Sequence, residues 1–388
     1  MSLLTHLECS RCGREEAPSG LVGVCPACGE PMLARYDLVA GRHVLSRFDL
    51  AARERSLWRV AELLPSVRPA ERVTLGEGGT PLQRAARLEQ VVGHAPIHVK
   101  DEGRNPTLSF KARGMAVAVS CARARGARRL AVPSAGNAGG ALAAYAARAG
   151  LEALVVLPAD TPRAFAEEAR RHGAEVEIVP GLLPDAGRRV AERAAAEGWF
   201  DLSTFREPYR VEGKKTLGLE IVEDLGFRYP DWIVYPTGGG TGVVGIWKAC
   251  AELEAIGWVR GRRPRMACVQ AEGCAPIVDA FEKGAPSVEP PAAPSTRAYG
   301  LRVPKPFAAR LILGVLRESD GAALRVSERE IEDSASELAR LEGIDASPEG
   351  GAAWAGARRL LAEGRVAKGE TIVVLNTGAG IKYRESAS

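Results

Sequence analysis

The chain has 388 residues, a length that predicts two or three domains with room for a large buried core. Hydrophobic residues make up 46% and charged residues 26%, which excludes an intrinsically disordered chain, and no apolar run approaches the roughly 18 residues of a membrane-spanning helix. The 52 basic and 48 acidic residues give a formal net charge of +4, so we expect a mixed surface that binds neither nucleic acid nor membranes. The amino terminus lacks the basic and apolar segments of a signal peptide, and the expected location is cytoplasmic.

Four cysteines near the amino terminus form a pattern typical of a zinc ribbon. They read C-S-R-C and C-P-A-C, separated by twelve residues, and comprise Cys9, Cys12, Cys25 and Cys28. Four thiolates at this spacing complete a tetrahedral structural zinc site and leave no open position for catalysis. The pattern predicts a ribbon over residues 1–40, although an unmetallated loop and a ribbon that binds a partner or nucleic acid are alternatives.

After the ribbon, residues 41–75 predict short helices and connectors, and Thr74–Pro81 predicts a turn-rich loop. Strands then alternate with alanine-rich helical segments such as Phe110–Arg125 and Ala138–Arg148. The predicted strands are Ile97–Lys100, Leu130–Pro133, Ala153–Leu157, Val176–Val179, Trp232–Tyr235, Met266–Gln270 and Thr371–Leu375. This alternation predicts an α/β fold with mostly parallel sheets covered by helices on both faces. The proline-rich segment Gly284–Thr296 predicts a long surface loop.

Three of the predicted strands lead directly into loops of small residues. These loops are Ser134–Gly140, Thr237–Gly242 and Asn376–Gly380. Ligands of open α/β sheets bind beyond the carboxyl ends of the strands, and glycines before a helix present backbone N–H groups to an anion. Any single loop is equally compatible with a simple helix-entry turn, but three together favour a ligand site that holds a phosphate.

The second glycine loop also permits a competing interpretation. Gly240–Gly245 matches the G-x-G-x-x-G pattern of dinucleotide sites, and Glu272 follows the next strand, where an acidic residue binds a ribose. The spacing to Glu272 is longer than the usual distance of about 20 residues. A nicotinamide-dependent dehydrogenase is therefore a weaker alternative.

Lys111 is the candidate for covalent chemistry. It follows a proline turn and the potential helix cap Ser109, in the run N-P-T-L-S-F-K-A-R-G-M that begins at Asn105. A helix amino terminus disfavours a cation and lowers a lysine pKa, as does the nearby Arg113, and such a lysine can form a Schiff base with a carbonyl. An exposed surface lysine is the alternative, but a phosphate cradle and a Schiff-base lysine are the two parts that a pyridoxal phosphate site requires.

Four motifs, in a fixed order, carry a resemblance to a known family. N-P-T-L-S-F-K-A-R-G-M is followed by S-A-G-N-A-G-G, then Y-P-T-G-G-G-T-G, then L-N-T-G-A-G-I-K. Together they resemble the fold type II pyridoxal phosphate enzymes, over about residues 74–383. Within that group the chain is most similar to the threonine synthase family, because of the S-F-K-A-R-G-M wording, the segment Pro208–Thr216 and the amino-terminal extension.

The resemblance implies a role for each matching residue. Lys111 would hold pyridoxal 5'-phosphate as a Schiff base and then transfer protons, and Asn137 would bind the 3-hydroxyl oxygen of the cofactor. Thr377 would face the pyridine nitrogen, where a hydroxyl gives a milder electron sink than an aspartate. Backbone N–H groups of the second glycine loop would bind the cofactor phosphate, namely those of Gly238, Gly239, Gly240, Thr241 and Gly242. The residues near the substrate would be Ser109, Ser134 and Arg210.

The family reaction converts O-phosphohomoserine and water to threonine and phosphate. Loss of an α-proton and then a β-proton would expel phosphate from the γ-carbon, water would add at the β-carbon, and Lys111 would be the base and the acid. Arg210 would bind the substrate phosphate, because a guanidinium fork matches that group. The resemblance further implies a homodimer, a large cofactor-binding domain over residues 41–112 and 203–388, and a small mobile domain over residues 113–202.

Several positions near the substrate depart from the family pattern. Ala112 replaces an aspartate, Ala138 lacks the hydroxyl of a threonine, and residues 203–207 and 347–352 differ from the family's substrate-holding segments. An amino-acid dehydratase or a β-replacement enzyme on the same fold is therefore an alternative. A binding protein that uses the ribbon and carries an inactive enzyme domain is another.

Overall fold

A computed structural model of the chain describes residues 2–93 and 95–384. Its strands, numbered in chain order, are β1 (Leu4–Cys9), β2 (Glu15–Glu16), β3 (Met32–Tyr36), β4 (Leu82–Arg84), β5 (Ile97–Asp101), β6 (Arg129–Pro133), β7 (Glu152–Pro158), β8 (Glu175–Val179), β9 (Phe200–Asp201), β10 (Trp232–Pro236), β11 (Arg265–Ala271), β12 (Ala322–Val326) and β13 (Ile372–Asn376). Its α-helices are α1 (Leu38–Val44), α2 (Ala86–Val92), α3 (Lys111–Ala124), α4 (Asn137–Ala149), α5 (Arg163–Arg171), α6 (Leu183–Glu197), α7 (Tyr209–Asp224), α8 (Thr241–Ala255), α9 (Pro276–Glu282), α10 (Ala309–Glu318), α11 (Glu328–Glu342) and α12 (Pro348–Ala362).

The chain divides into two units, each assembled from three separate segments. Unit 1 comprises Met1–Gly79, Lys111–Leu219 and Gly245–Trp258. Unit 2 comprises Thr80–Phe110, Glu220–Val244 and Val259–Ser388.

Unit 1 contains a four-stranded parallel sheet in the order β8-β7-β6-β9. Leu154 and Val156 of β7 belong to a buried core with Val190 of α6. Between them, Val155 lies against α4, where a Cβ atom on Gly139 would come within 2.6 Å of its Cγ1 atom. Because successive side chains of a strand point to opposite faces, α4 and α6 cover opposite faces of this sheet.

The amino-terminal extension is also part of unit 1. It begins with a three-stranded antiparallel sheet in the order β2-β1-β3, in which the paired residues Leu7 and Ala34 are fully buried. Residues 41–75 then form the end of α1 and short 3-10 turns, in agreement with the predicted short helices and connectors.

Unit 2 contains a six-stranded sheet in the order β12-β11-β10-β13-β5-β4, which is parallel except for the short edge strand β4. The central strands β10 and β13 are buried along their whole length, as expected for parallel strands with helices on both faces. On one face, Trp354 and Leu360 of α12 pack with Trp232 of β10 and Val374 of β13 in a large buried cluster.

These observations confirm the α/β fold class. All seven predicted strands are present and agree with the structure to within one residue at each end, and α3 and α4 match the two predicted helices. In the two larger sheets, β4, β9 and β12 were not predicted, and neither were the individual strands of the ribbon. In β12 buried and half-buried residues alternate, because it is an edge strand, so it lacks the continuous apolar run of central strands such as β10 and β13. Among the described residues, no helix has the length and apolar character needed to cross a membrane.

Candidate active site

At one edge of the six-stranded sheet, three neighbouring parallel strands end side by side. β10 pairs with β13, and β13 pairs with β5 as far as Asn376 and Asp101, the last residues of those two strands. β10 leads into Thr237–Gly242 and β13 leads into the loop that begins at Thr377. The carboxyl edge of a parallel sheet is the usual position of a ligand. The structure thus brings the second and third predicted glycine loops together in unit 2.

The loop Thr237–Gly242 is a backbone cradle that excludes side chains. A Cβ atom on Gly238 would lie 2.1 Å from the carbonyl oxygen of Gly300. A Cβ atom on Gly242 would lie 2.0 Å from the Tyr235 hydroxyl oxygen. Both distances are far below van der Waals contact, so glycine is required at both positions.

Gly240 is required for a second reason. Its φ angle of +79° lies in the left-handed region, and a Cβ atom there would overlap the Ile312 side chain. α8 begins at the next residue, Thr241, and the first four N–H groups of a helix have no acceptor within the helix. The loop therefore offers backbone N–H groups, at the positive end of a helix dipole, to an anion such as a phosphate.

Two buried side chains that the sequence analysis did not single out hold this cradle. Gln270 donates from Nε2 to the carbonyl oxygen of Thr237 at 3.0 Å. Glu349 accepts the backbone N–H of Gly300 at 2.8 Å, and the carbonyl of Gly300 faces Gly238. Glu349 lies in the departing segment 347–352, but its partner is distant in sequence, so no local pattern marked it.

The loop after β13 is bonded to the segment that precedes the candidate lysine. The backbone N–H of Phe110 donates to the carbonyl oxygen of Thr377 at 3.0 Å, and Ser109 forms an isolated antiparallel bridge with Gly378. Ser109 is fully buried and Thr377 is 6% exposed. Both predicted residues therefore lie at the carboxyl edge of the six-stranded sheet.

Lys111 is the first residue of α3 and is joined by one peptide bond to Phe110. The turn before it contains Thr107 and Leu108, whose φ angles of 59° and 54° are left-handed. Such a conformation costs a non-glycine residue about 1–2 kcal/mol and tends to occur at functional sites. Lys111 thus follows a strained turn and is the next residue after Phe110, whose backbone N–H donates to Thr377.

The first glycine loop lies in unit 1, where Asn137 is the first residue of α4. Ser134, which is 2% exposed, orders this loop with its hydroxyl group. It donates to the carbonyl oxygen of Gly136 at 2.7 Å and accepts the N–H groups of Gly136 at 3.2 Å and Gly139 at 3.0 Å. The side chain of Ser134 is thus engaged by its own loop.

Arg210 is a buried arginine in the first turn of α7, also in unit 1. It is 3% exposed and donates from Nη1 to the carbonyl oxygen of Leu202. Within the described part of the chain, no residue accepts a hydrogen bond from its Nε atom. Burial lowers the pKa of Arg210, although the neighbouring carboxyl groups of Glu207 and Asp201 oppose this shift. A buried guanidinium with an unused donor can bind an oxyanion.

Glu207 caps the same helix and was not among the predicted site residues. Its carboxylate accepts the backbone N–H of Tyr209 at 2.7 Å and that of Arg210 at 3.1 Å. Burial raises the pKa of Glu207 to about 7, although Arg210 opposes the shift. The helix amino terminus is therefore already occupied by a carboxyl group, so an anion at this position would be bound by the Nε atom of Arg210.

The four predicted cysteines lie together in the ribbon. Their sulfur atoms all lie within 4.8 Å of one another, and the Sγ–Sγ distances are 3.4 Å for Cys9–Cys28 and 3.7 Å for both Cys12–Cys25 and Cys12–Cys28. A tetrahedral zinc ion with bonds of about 2.3 Å places its thiolates about 3.8 Å apart. Burial opposes ionisation of Cys9, but the backbone N–H groups of Cys12 and Arg11 outweigh it and lower the pKa to about 6. The site therefore suits a metal cation.

The predicted residues are divided between the two units. Unit 2 holds Ser109, Thr377 and the loop residues Gly238, Gly239, Gly240, Thr241 and Gly242. Unit 1 holds Lys111, Asn137, Ser134, Arg210 and the four cysteines.

The competing dinucleotide pattern has a different structural use. A Cβ atom on its last glycine, Gly245, would lie 2.9 Å from the backbone nitrogen of Lys215, so this glycine serves the close packing of α8 on α7. Glu272, the proposed ribose ligand, is exposed, and its backbone N–H bonds to Val326.

The chain matches a family model described as pyridoxal-phosphate dependent enzyme over residues 73–378. It is 38% identical to threonine synthase of Methanosarcina acetivorans, over 97% of this chain and 92% of that protein. It is 36% identical to threonine synthase of Methanocaldococcus jannaschii, over 98% of this chain and 93% of that protein. A threonine synthase of Mycobacterium tuberculosis is 36% identical over 81% of this chain and 85% of its own length.

Solved structures with lower identity share the fold. Threonine deaminase isoform 2 from Solanum lycopersicum superimposes with a TM-score of 0.68, at 22% identity, over 83% of this chain and 89% of that chain. Maize serine racemase gives a TM-score of 0.67, at 19% identity, over 78% and 88%.

Proposed function

Because the chain belongs to the threonine synthase family of pyridoxal-phosphate dependent enzymes, we propose that it converts O-phosphohomoserine and water to threonine and phosphate. One observation carries this proposal. The glycine cradle after β10 lies beside the loop after β13, and that loop is bonded to Phe110, one residue before Lys111. The phosphate cradle and the segment that precedes Lys111 therefore both lie at the carboxyl edge of the six-stranded sheet.

The residues present fit pyridoxal 5'-phosphate, since the cradle presents backbone N–H groups and leaves no room for a Cβ atom at Gly238 or Gly242. When bound, this cofactor supplies an electron sink that acidifies the C–H bonds near the substrate's amino group. Lys111 would hold it covalently, and Asn137 and Thr377 would bind the ring. The N–H groups for its phosphate are those of Gly238, Gly239, Gly240, Thr241 and Gly242.

Lys111 also moves protons in this proposal. Its Nζ atom would accept the α-proton of the substrate and release that proton to the bound cofactor before it removes a β-proton, which allows phosphate to leave the γ-carbon. The same amine returns protons when water adds at the β-carbon. A position at the amino terminus of α3 favours this role, because the helix dipole disfavours a permanently charged ammonium group.

Arg210 would bind the substrate phosphate through the Nε donor that has no acceptor among the described residues. As the bond from carbon to oxygen breaks, negative charge grows on the phosphate, and a buried guanidinium stabilises that charge more strongly than an exposed one. Ser109 and Ser134 are proposed to lie near the substrate as well. The three hydrogen bonds of the Ser134 hydroxyl give it the further task of holding the Asn137 loop in shape.

We further propose that Cys9, Cys12, Cys25 and Cys28 hold one structural zinc ion. The chain is proposed to act as a cytoplasmic homodimer on a small phosphorylated amino acid. Metal analysis of the purified protein should give one zinc per chain, and sedimentation analysis should give twice the mass of 41.2 kDa.

The decisive experiment is to incubate the purified protein with O-phosphohomoserine and to measure phosphate release and the amino-acid product together. We expect equal amounts of phosphate and threonine. Lys111→Ala should release neither, and the matched control Lys368→Ala, which changes an exposed lysine, should behave as the unmodified protein. A protein that absorbs visible light but releases no phosphate, and that instead forms a 2-oxo acid from threonine or serine, would replace this proposal by a dehydratase.

A further inference from the structure

A buried cluster of charged side chains connects the ribbon to helices α7 and α8. The Tyr36 cluster, as we name it, comprises Tyr36 of β3, Glu212 and Lys215 of α7, and Lys248 and Glu252 of α8. Each of these side chains is at most 9% exposed. All five residues belong to unit 1.

The cluster is balanced and closely bonded. The Tyr36 hydroxyl donates to Glu212 at 2.8 Å, and Lys215 lies 2.7 Å from Glu212 and 2.8 Å from Glu252. Lys248 pairs with the same two carboxylates. Both ammonium groups also lie over the Tyr36 ring, at 4.0 Å and 4.6 Å from its centre. Two cations and two anions thus share one aromatic residue contributed by the ribbon.

Such a cluster is better suited to fixing geometry than to adding stability. Removing four charges from water costs about as much as their mutual attraction returns, whereas the hydrogen bonds fix the positions of their partners. Lys215 also donates to the carbonyl oxygen of Leu63 in the extension, so α7 is held by the extension at two points.

The first turns of α7 are in turn packed against the start of α3. A Cβ atom on Gly213 would lie 2.1 Å from the carbonyl oxygen of Arg113, so the two backbones touch. Arg113 also donates from Nη1 to the Thr216 hydroxyl at 3.0 Å. Arg113 is two residues after Lys111, and Gly213 is one residue after Glu212. A displacement of Glu212 therefore reaches the turn that carries Lys111 through direct contacts.

We propose that Tyr36 is a positioning residue through which the folded ribbon sets the first turn of α3, and with it Lys111. The proposal rests on the role of Lys111 given above and on the zinc-bound ribbon. Loss of the metal or of the Tyr36 hydroxyl loosens the first turns of α3 and α7. The ribbon then supports the position of Lys111 through α7 and α3.

The test is hydrogen exchange measured by mass spectrometry on the full chain, with and without cofactor, for Tyr36→Phe. This variant keeps the ring under the two ammonium groups and removes the bond to Glu212. We expect amides of residues 112–116 and 210–216 to exchange at least tenfold faster, while those of β6 and β7 are unchanged. The matched control is Arg35→Ala, which changes the neighbour of Tyr36 on β3 and breaks its ion pair with Glu8 of β1. This variant should leave all these amides unchanged.

A second measurement reports on Lys111 itself. The rate at which pyridoxal phosphate reacts with Lys111 in the cofactor-free protein should fall at least threefold in Tyr36→Phe and not in Arg35→Ala. Removing zinc from the unmodified protein with a chelator should reproduce both effects, so the test stands even if Tyr36→Phe fails to fold.

Two outcomes would overturn the inference. One is unchanged exchange at residues 112–116 after both treatments, and the other is a uniform increase throughout unit 1, which would mean that the cluster merely supports the fold. Exchange needs no turnover, so its result is independent of the reaction proposed above. If the expected exchange pattern is found but O-phosphohomoserine does not react, the positioning role of Tyr36 stands and only the proposed substrate is wrong.

Discussion

The cradle of the phosphate loop can be tested by adding a single methyl group, in Gly238→Ala. The structure gives no left-handed φ angle at this residue, so alanine meets no backbone strain there and the effect is purely steric. The gap of 2.1 Å to the Gly300 oxygen must widen to 3.4 Å, the shortest ordinary contact of a Cβ atom, so the loop and Gly300 must separate by about 1.3 Å. Gly300 is held by the buried Glu349, and the displacement therefore falls largely on the loop.

A shift of this size breaks a charged hydrogen bond to the phosphate, which is worth about 1.5–3 kcal/mol, and the upper part of that range corresponds to about 100-fold in cofactor affinity. The assay is titration of the cofactor-free protein with pyridoxal phosphate, followed by visible absorbance. The dissociation constant should rise about 100-fold with the thermal unfolding temperature nearly unchanged. A rise of less than threefold would refute the argument, because it would mean that the backbone at Gly238 does not face the phosphate.

Three further predictions use other parts of the molecule. Gly187→Ala, inside α6 with no atom closer than 4.0 Å to the added methyl, should stabilise the protein by about 0.5–1 kcal/mol, and an unchanged or lower unfolding temperature would contradict it. Arg210→Lys should lower kcat/KM about 10- to 100-fold, since a charged hydrogen bond is worth about 1.5–3 kcal/mol, whereas Arg329→Lys, at an exposed arginine of α11, should change it little. Glu207 has its pKa raised from 4.5 to about 7, so its protonated form is favoured in the fold, and the stability it contributes is full below pH 4.5 and lost as the pH rises to about 7. Unfolding by denaturant between pH 4.5 and 7 should therefore show that Glu207→Gln reduces the change in the free energy of unfolding with pH by about 3 kcal/mol. An equal pH dependence of that free energy in both proteins would show that Glu207 is solvated.

The repeating units of the fold could be predicted from the sequence because they are local. A continuous apolar run followed by glycines marks β10 and β13 directly. The left-handed turn before Lys111 lies within a single run of sequence, so its motif could also be recognised. The cluster of four cysteines could be predicted equally well, because the spacing of the two C-x-x-C motifs is itself the signal for such a cluster.

The supporting residues could not be predicted because their partners are far away in sequence. Glu349 acts on Gly300, 49 residues earlier, and Tyr36 acts on Glu212, 176 residues later. Glu207 reads as an ordinary polar residue before a helix, and the burial that raises its pKa becomes visible only once α7 is packed. The sequence indicates which residues carry suitable functional groups, whereas the tertiary packing decides which of those groups are held in a fixed position.

The position of β13 in the middle of its sheet has a consequence for biosynthesis. Asn376 of β13 pairs with Asp101 of β5, 275 residues earlier in the chain. β5 therefore cannot pair with β13 until the ribosome has added those residues. At about 5–20 residues per second this delay lasts roughly 14 to 55 s for β5, and about half as long for β10, which is synthesised midway through it. A translation product that ends before Ile372 would lack the central strand and Thr377 together. Until synthesis has passed β13, the edges of β5 and β10 that face it therefore stay unpaired, and they are open to incorrect strand pairing.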